Sequence, residues 1–196
     1  MFKRLAFAAI ALVAATAPAL AHLNPAEHGS FMAGVSHPLF GLDHVLVMVA
    51  VGLWAATLGQ RALMLVPAAF AGMMVLGFAI ALLGASLPLV EPVILASVVF
   101  IGLMVALAIP MPAAGVAGVV AFFAFFHGHA HGGELGTAGA LQFAIGFALA
   151  TPLLHAAGIA LGLAFGRWQK DVIGRALTRI AGFATALAGL WLAFAG

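Results

Sequence analysis

His37-Pro38-Leu39-Phe40-Gly41-Leu42-Asp43-His44 runs straight into the apolar stretch from Val45 to Leu58. Three ionisable side chains therefore stand at the mouth of a membrane-type helix, where hydrocarbon makes such groups costly and marks them for function. On one continuous helix, His37, Gly41, His44 and Met48 follow the i, i+4, i+7, i+11 pattern and share a face. Pro38 then falls in the first helical turn, where its missing N–H costs nothing. Asp43 points about 100° away from His44 around the helix. It either reaches a neighbouring helix or accepts a hydrogen bond from an imidazole N–H.

Composition carries this reading to the whole chain. Of 196 residues, 66% are hydrophobic and 6% charged, with a mean hydropathy of +1.26. A soluble domain carries about 25% charged residues, so this chain lacks a solvent-compatible surface and reads as an integral membrane protein. A pI near 10.0 does not make it a nucleic-acid binder, because its seven cations are few and sit where membrane topology wants them. With no cysteine, disulfides, iron–sulfur clusters and thiolate sites are excluded. Imidazole, carboxylate, thioether and amine remain as candidate ligands. The eight histidines are the anomaly, and they are clustered.

Residues 1–21 read as a cleavable signal peptide, with Lys3 and Arg4 as the basic start, Leu5 to Ala17 as the apolar centre and Ala19-Leu20-Ala21 as the cleavage site. The mature domain would be 22–196. Its first residue, His22, would then offer both an α-amine and an imidazole as additional metal ligands. Residues 23–36 form a short polar arm with Glu27 and His28. Six apolar segments follow, at about 38–58, 62–83, 92–109, 113–126, 138–165 and 176–195. Spans near 20 residues match a ~30 Å hydrocarbon core at about 1.5 Å rise per residue. The expected fold is an all-α bundle of six transmembrane helices.

Charge gives the orientation. With an exported N-terminus, the loops after the first, third and fifth segments face inward. They hold Arg61, Arg167, Lys170 and Arg175, with Arg179 one turn into the sixth segment. The outward arm and loops hold Glu27, Glu91 and Glu134 and no Lys or Arg, as the positive-inside rule expects. Both mature termini would lie in the periplasm, and the chain would be a multi-pass protein of the bacterial inner membrane. The glycine-rich faces, notably Gly158-x3-Gly162-x3-Gly166, suit close packing in lipid, either within the chain or in a homo-oligomer.

The second cluster is Phe126-His127-Gly128-His129-Ala130-His131-Gly132-Gly133-Glu134. If the fourth helix continues through it, His127, His131 and Glu134 stack at i, i+4, i+7 and can converge on one cation, while His129 points the other way. A loose, glycine-rich loop that grips the metal is the alternative. Both clusters fall at the outer membrane surface on this topology, which argues for capture of a divalent cation from outside. Neutral imidazoles with carboxylates suit Ni²⁺, Co²⁺, Zn²⁺ or Cu²⁺. Met48 and His155 are additional candidates for the path. His155 lies three residues after Pro152, where a missing helical hydrogen bond should kink the fifth segment.

A signal peptide, then His37-Pro38-x2-Gly41-x-Asp43-His44, then Phe126-His127-Gly128-x-Ala130-His131-Gly132-x-Glu134 together resemble the HupE/UreJ family, small bacterial membrane proteins associated with hydrogenase or urease. The resemblance covers essentially the whole chain. It implies Ni²⁺, with Co²⁺ as an alternative, as the transported substrate, delivered toward a cytoplasmic nickel-enzyme maturation pathway. His37, Asp43 and His44 match the first motif, and His127, His131 and Glu134 the second.

Three other functions compete. A b-type haem subunit would use two of these histidines as axial ligands. A metalloprotease would need a motif such as HExxH, which does not occur. A metal sensor or chaperone would bind without transport. The leading reading is a permease and not an enzyme; no GxxxxGK[ST] motif is present, so the chain has no ATPase of its own and energy must come from the metal gradient, the membrane potential, protons or a partner. A membrane potential, inside negative, would favour entry of a divalent ion by roughly 4.6 kcal/mol per 100 mV. Protonation of the imidazoles should make uptake fall below about pH 6.

Overall fold

The computed structural model describes residues 25–133, 139–166 and 172–195. These form seven helices and no strand: α1 Pro25–Phe40, α2 Leu42–Thr57, α3 Gln60–Leu82, α4 Val90–Leu107, α5 Ala113–Gly133, α6 Ala140–Gly166 and α7 Val172–Ala195. The signal-peptide segment and His22 lie outside the described residues, as do Glu134 and residues 167–171.

Helices α3 to α7 are each 18 to 27 residues long and apolar enough to cross a bilayer, and the bent pair α1–α2 brings the number to six when it is counted as one span. A helix satisfies its backbone hydrogen bonds internally, which hydrocarbon requires. The side chains are distributed as lipid would have them. Met64, Leu83, Leu141, Leu153, Leu187 and Phe194 face outward, while His44, Ser97, His127, His131, Thr151 and His155 are buried. This is a multi-pass membrane protein.

Two expectations are corrected at the N-terminal end. The polar arm at 23–36 is helical from Pro25 onward, and the opening motif is not one straight helix. The chain bends by 71° between Ser30–Phe40 and Leu42–Thr57. Pro38 lies in the last turn of α1, not the first turn of a span. There it removes a donor and disfavours helical geometry at the residue before it, which helps to end the helix. Gly41 takes an extended conformation (φ −69°, ψ 112°) and caps α2. Its N–H still donates to the His37 carbonyl at 2.9 Å, and its own carbonyl receives the Val45 N–H at 2.9 Å. The i, i+4, i+7, i+11 face therefore does not exist, and His37 and His44 meet across a corner. The fourth apolar segment, by contrast, does continue through the histidines, as α5.

Small residues set the pairing. Helix α5 packs along α3, α6 along α2 and α1, and α7 along α4. A Cβ on Gly128 would overlap the Met74 carbonyl, and one on Gly158 would overlap the Val49 carbonyl. Backbones touch at these positions, the contact that small residues permit in lipid. Gly158 and Gly162 both close on α2 of the same chain, so this glycine face is used internally rather than between copies. Matching positions rise together along α2 and α6 (Gly52 beside His155 and Gly158, Ala56 beside Gly162), so these two helices run parallel. Helix α6 runs unbroken through Pro152.

Candidate metal centre

Four imidazoles converge where the α1–α2 corner meets the end of α5. His37 comes from the last turn of α1, His44 from the first turn of α2, and His127 and His131 from successive turns of one α5 face. Ring centroids lie 5.2 Å apart for His37–His44, 4.8 Å for His37–His131, 4.8 Å for His44–His131 and 5.0 Å for His44–His127. His127 and His131 have no exposed surface and His44 only 4%. One ligand nitrogen from each of His37, His44 and His131 lies within 4.8 Å of the others. Imidazole nitrogens bound to one tetrahedral first-row divalent ion sit about 3.4 Å apart, at a metal–nitrogen distance of about 2.0–2.1 Å. Seating an ion would therefore draw the three rings together by up to about 1.4 Å.

Two side chains orient these rings. The Asp43 carboxylate, an acceptor only when ionised, receives the His44 Nδ1–H at 2.9 Å. The lone pair of His44 is thereby left on Nε2. Asp43 acts here as the imidazole acceptor, one of its two expected roles. Gly41 makes room for the pair, since a Cβ there would stand 3.0 Å from His44 Nδ1 and 3.2 Å from Asp43 Oδ1.

Ser97 of α4 does the corresponding work for His127. Its hydroxyl donates its single proton to the Ile94 carbonyl at 2.5 Å, so at 3.0 Å from His127 Nε2 it can only accept. Nε2 therefore carries the proton of a neutral His127, and the lone pair lies on Nδ1, which has no partner among the described residues. Neither nitrogen of His131 has one either, and its ring stacks on Phe147 of α6 at 5.0 Å. Ser97, Phe143 and Phe147 were not identified from sequence. A serine in an apolar helix is ordinarily bonded to its own backbone, and nothing in the spacing links it to a histidine thirty residues on.

A model of the HupE/UreJ protein family matches residues 10–192 of this chain. The chain belongs to the HupE/UreJ family. Among curated proteins, Protein HupE of Rhizobium leguminosarum bv. viciae is 44% identical over 180 residues, spanning 91% of this chain and 92% of the relative. No solved structure matches the chain.

The remaining candidates of this HupE/UreJ chain are distributed unevenly. His129 points away from the cluster and its Nε2–H donates to the Ala85 carbonyl at 2.8 Å, tying α5 to the α3–α4 loop. Glu134, the side chain of His28 and His22 lie outside the described residues. Met48 is fully buried one turn below His44 on α2. His155 is buried deeper in the bundle, its ring edge-on to Phe70 at 5.0 Å. At the far end from the histidines, Arg175 and Arg179 join Trp54, Thr57, Met111 and Pro112 around a cavity of about 620 Å³. The ends of α2 and α4 and the starts of α5 and α7 thus gather at one pole, and the imidazoles at the other.

Proposed function

We propose that the chain carries Ni²⁺, and Co²⁺ as a second substrate, across the bacterial inner membrane into the cytoplasm, taking the ion at the imidazole cluster. One observation carries this reading: four buried imidazoles from three helices, three of them with ligand nitrogens within 4.8 Å of one another. Neutral imidazole donors suit late first-row divalent ions, whereas Mg²⁺ or Ca²⁺ would need mostly oxygen. Membership in the HupE/UreJ family supports the same assignment. The cluster is a poor haem site, because the flat macrocycle would have to pass between rings already packed edge to face.

The basic pole, with Arg61, Arg175 and Arg179, is the cytoplasmic one on the positive-inside rule, so the imidazoles face the periplasm. The membrane potential then drives the ion inward from that mouth. Residues 1–21 serve as the export signal, and the termini of the mature chain lie outside the cytoplasm. Asp43 and Ser97 hold two of the four rings in fixed tautomers, and Glu134, three residues beyond His131 in sequence, is the further carboxylate ligand of this reading.

The test is uptake of radiolabelled Ni²⁺ and Co²⁺ by cells expressing wild type, His44→Ala or His131→Ala at matched membrane levels. Each substitution should reduce initial uptake about 10-fold or more, since even outer-shell partners of a metal are felt on that scale. Wild-type flux in both variants would remove the cluster from the path.

A further inference from the structure

Deeper in the bundle, below the cluster, His155 has a role that packing does not explain. It is 2% exposed, and neither ring nitrogen has a hydrogen-bond partner among the described residues. A leucine would fill the same volume without burying two polar atoms in hydrocarbon, where unsatisfied groups are costly.

Two thioethers lie at neighbouring levels of the bundle. Thr151, one turn earlier on the same face of α6, lies 3.8 Å from Met74 Sδ of α3. The Thr151 hydroxyl has one proton and a better acceptor, the Phe147 carbonyl at 2.9 Å, so the thioether keeps its lone pairs. Phe70, one turn before Met74, packs its ring on His155, which brings this turn of α3 to that turn of α6. The parallel register of α2 and α6 sets Gly52 beside His155, so Met48, one turn above Gly52, lies at the level between Thr151 and His155. Met48 and Met74 are both fully buried.

We propose that His155, with the thioethers of Met48 and Met74, forms a second metal station in the interior of the membrane, on the path below the imidazole cluster. This deepens the transport reading and rests on it. Phe70 stands between the two stations, with its ring centroid 5.8 Å from that of His127 and 5.0 Å from that of His155. One imidazole and two thioethers make a softer site with fewer strong donors than four imidazoles, and so bind a borderline ion such as Ni²⁺ more weakly. A weaker site after a stronger one lets an ion move on, which conduction requires.

The experiment uses the purified full chain in detergent, with Ni²⁺ alone as probe. Bound metal is counted by equilibrium dialysis, and its ligands are read by X-ray absorption. The His44→Ala/His131→Ala variant isolates the inner station, so the result does not depend on whether the cluster is the site of uptake. That variant should retain one Ni²⁺ with sulfur in its shell. Adding His155→Leu should abolish the binding. Adding Met48→Leu and Met74→Leu instead, volume-conserving changes that keep the packing, should remove the sulfur signal and weaken binding. The proposal is overturned if the cluster variant binds no Ni²⁺, or if its bound ion lacks sulfur. Unchanged occupancy after both His155→Leu and the paired methionine changes would overturn it too. Failure of wild type to take up Ni²⁺, with the inner ion present, would count against the transport reading instead.

Discussion

Ser97 shows how far the proposed metal site would depend on residues that are not ligands. Its proton is committed to Ile94, so it accepts from His127 and leaves Nδ1 as the donor atom of that ring. Asp43 sets the opposite choice on His44. Ser97→Ala removes the acceptor and frees the ring to take either tautomer. Ni²⁺ affinity at the cluster should fall roughly 10- to 100-fold, and Ser97→Thr should restore most of it because the hydroxyl is kept. Nitrogen-15 chemical shifts of His127 in the metal-free protein provide the check. They should report a protonated Nε2 in wild type and a tautomer mixture in Ser97→Ala, and an unchanged spectrum would dismiss the positioning role. The histidines and Asp43 were legible from sequence because hydrocarbon makes such side chains conspicuous. Ser97 was not, because its link to His127 exists only once α4 and α5 are side by side.

At the scale of the elements, the helices were legible and the corner was not. Apolar runs near 20 residues locate α3, α4, α6 and α7 to within a few residues, since bilayer thickness imposes length independently of packing, whereas α5 extends seven residues past its 113–126 run, through the histidines. The break at Gly41 falls between His37 and Asp43, polar residues that suit the mouth of a straight span as well as a corner. Pro38 followed three residues later by glycine is equally compatible with a helix start. The correction matters, because the 71° bend carries His37 back over His44 and makes room for His131 between them. Which glycines matter was likewise hidden in a chain with 24 of them. Gly128 presses on the α3 backbone, whereas a Cβ at Gly72 would meet nothing within 4 Å. Gly128→Ala should therefore destabilise the bundle by about 1–3 kcal/mol, the usual cost of overpacking, and pull His127 off Ser97. Gly72→Ala should be neutral or slightly stabilising, given the better helix propensity of alanine. Thermal unfolding in detergent distinguishes them, and equal midpoints would refute the packing assignment.

The whole molecule is polar along its long axis. Histidines gather at one end of the bundle and arginines at the other, with parallel helix pairs α2–α6 and α3–α5 running between them. This axis turns the metal reading into a vectorial one, because a potential across the membrane acts on a divalent ion only if its capture site opens to a defined side. Charge in the sequence implied the same polarity, but pattern alone could not say that the α2 end, the α4–α5 loop and the α7 start share one pole. The chain has no cysteine, so single cysteines can be placed without a background. Ser86→Cys, in the α3–α4 loop beside the His129–Ala85 contact, lies at the histidine pole, and Gln60→Cys, at the start of α3, lies at the arginine pole; both positions are exposed. A membrane-impermeant maleimide applied to intact spheroplasts should label Ser86→Cys and leave Gln60→Cys untouched until the membrane is opened. The reverse pattern would invert the direction of transport, because the imidazole mouth would then face the cytoplasm and the inside-negative potential would hold a divalent ion there rather than draw it through.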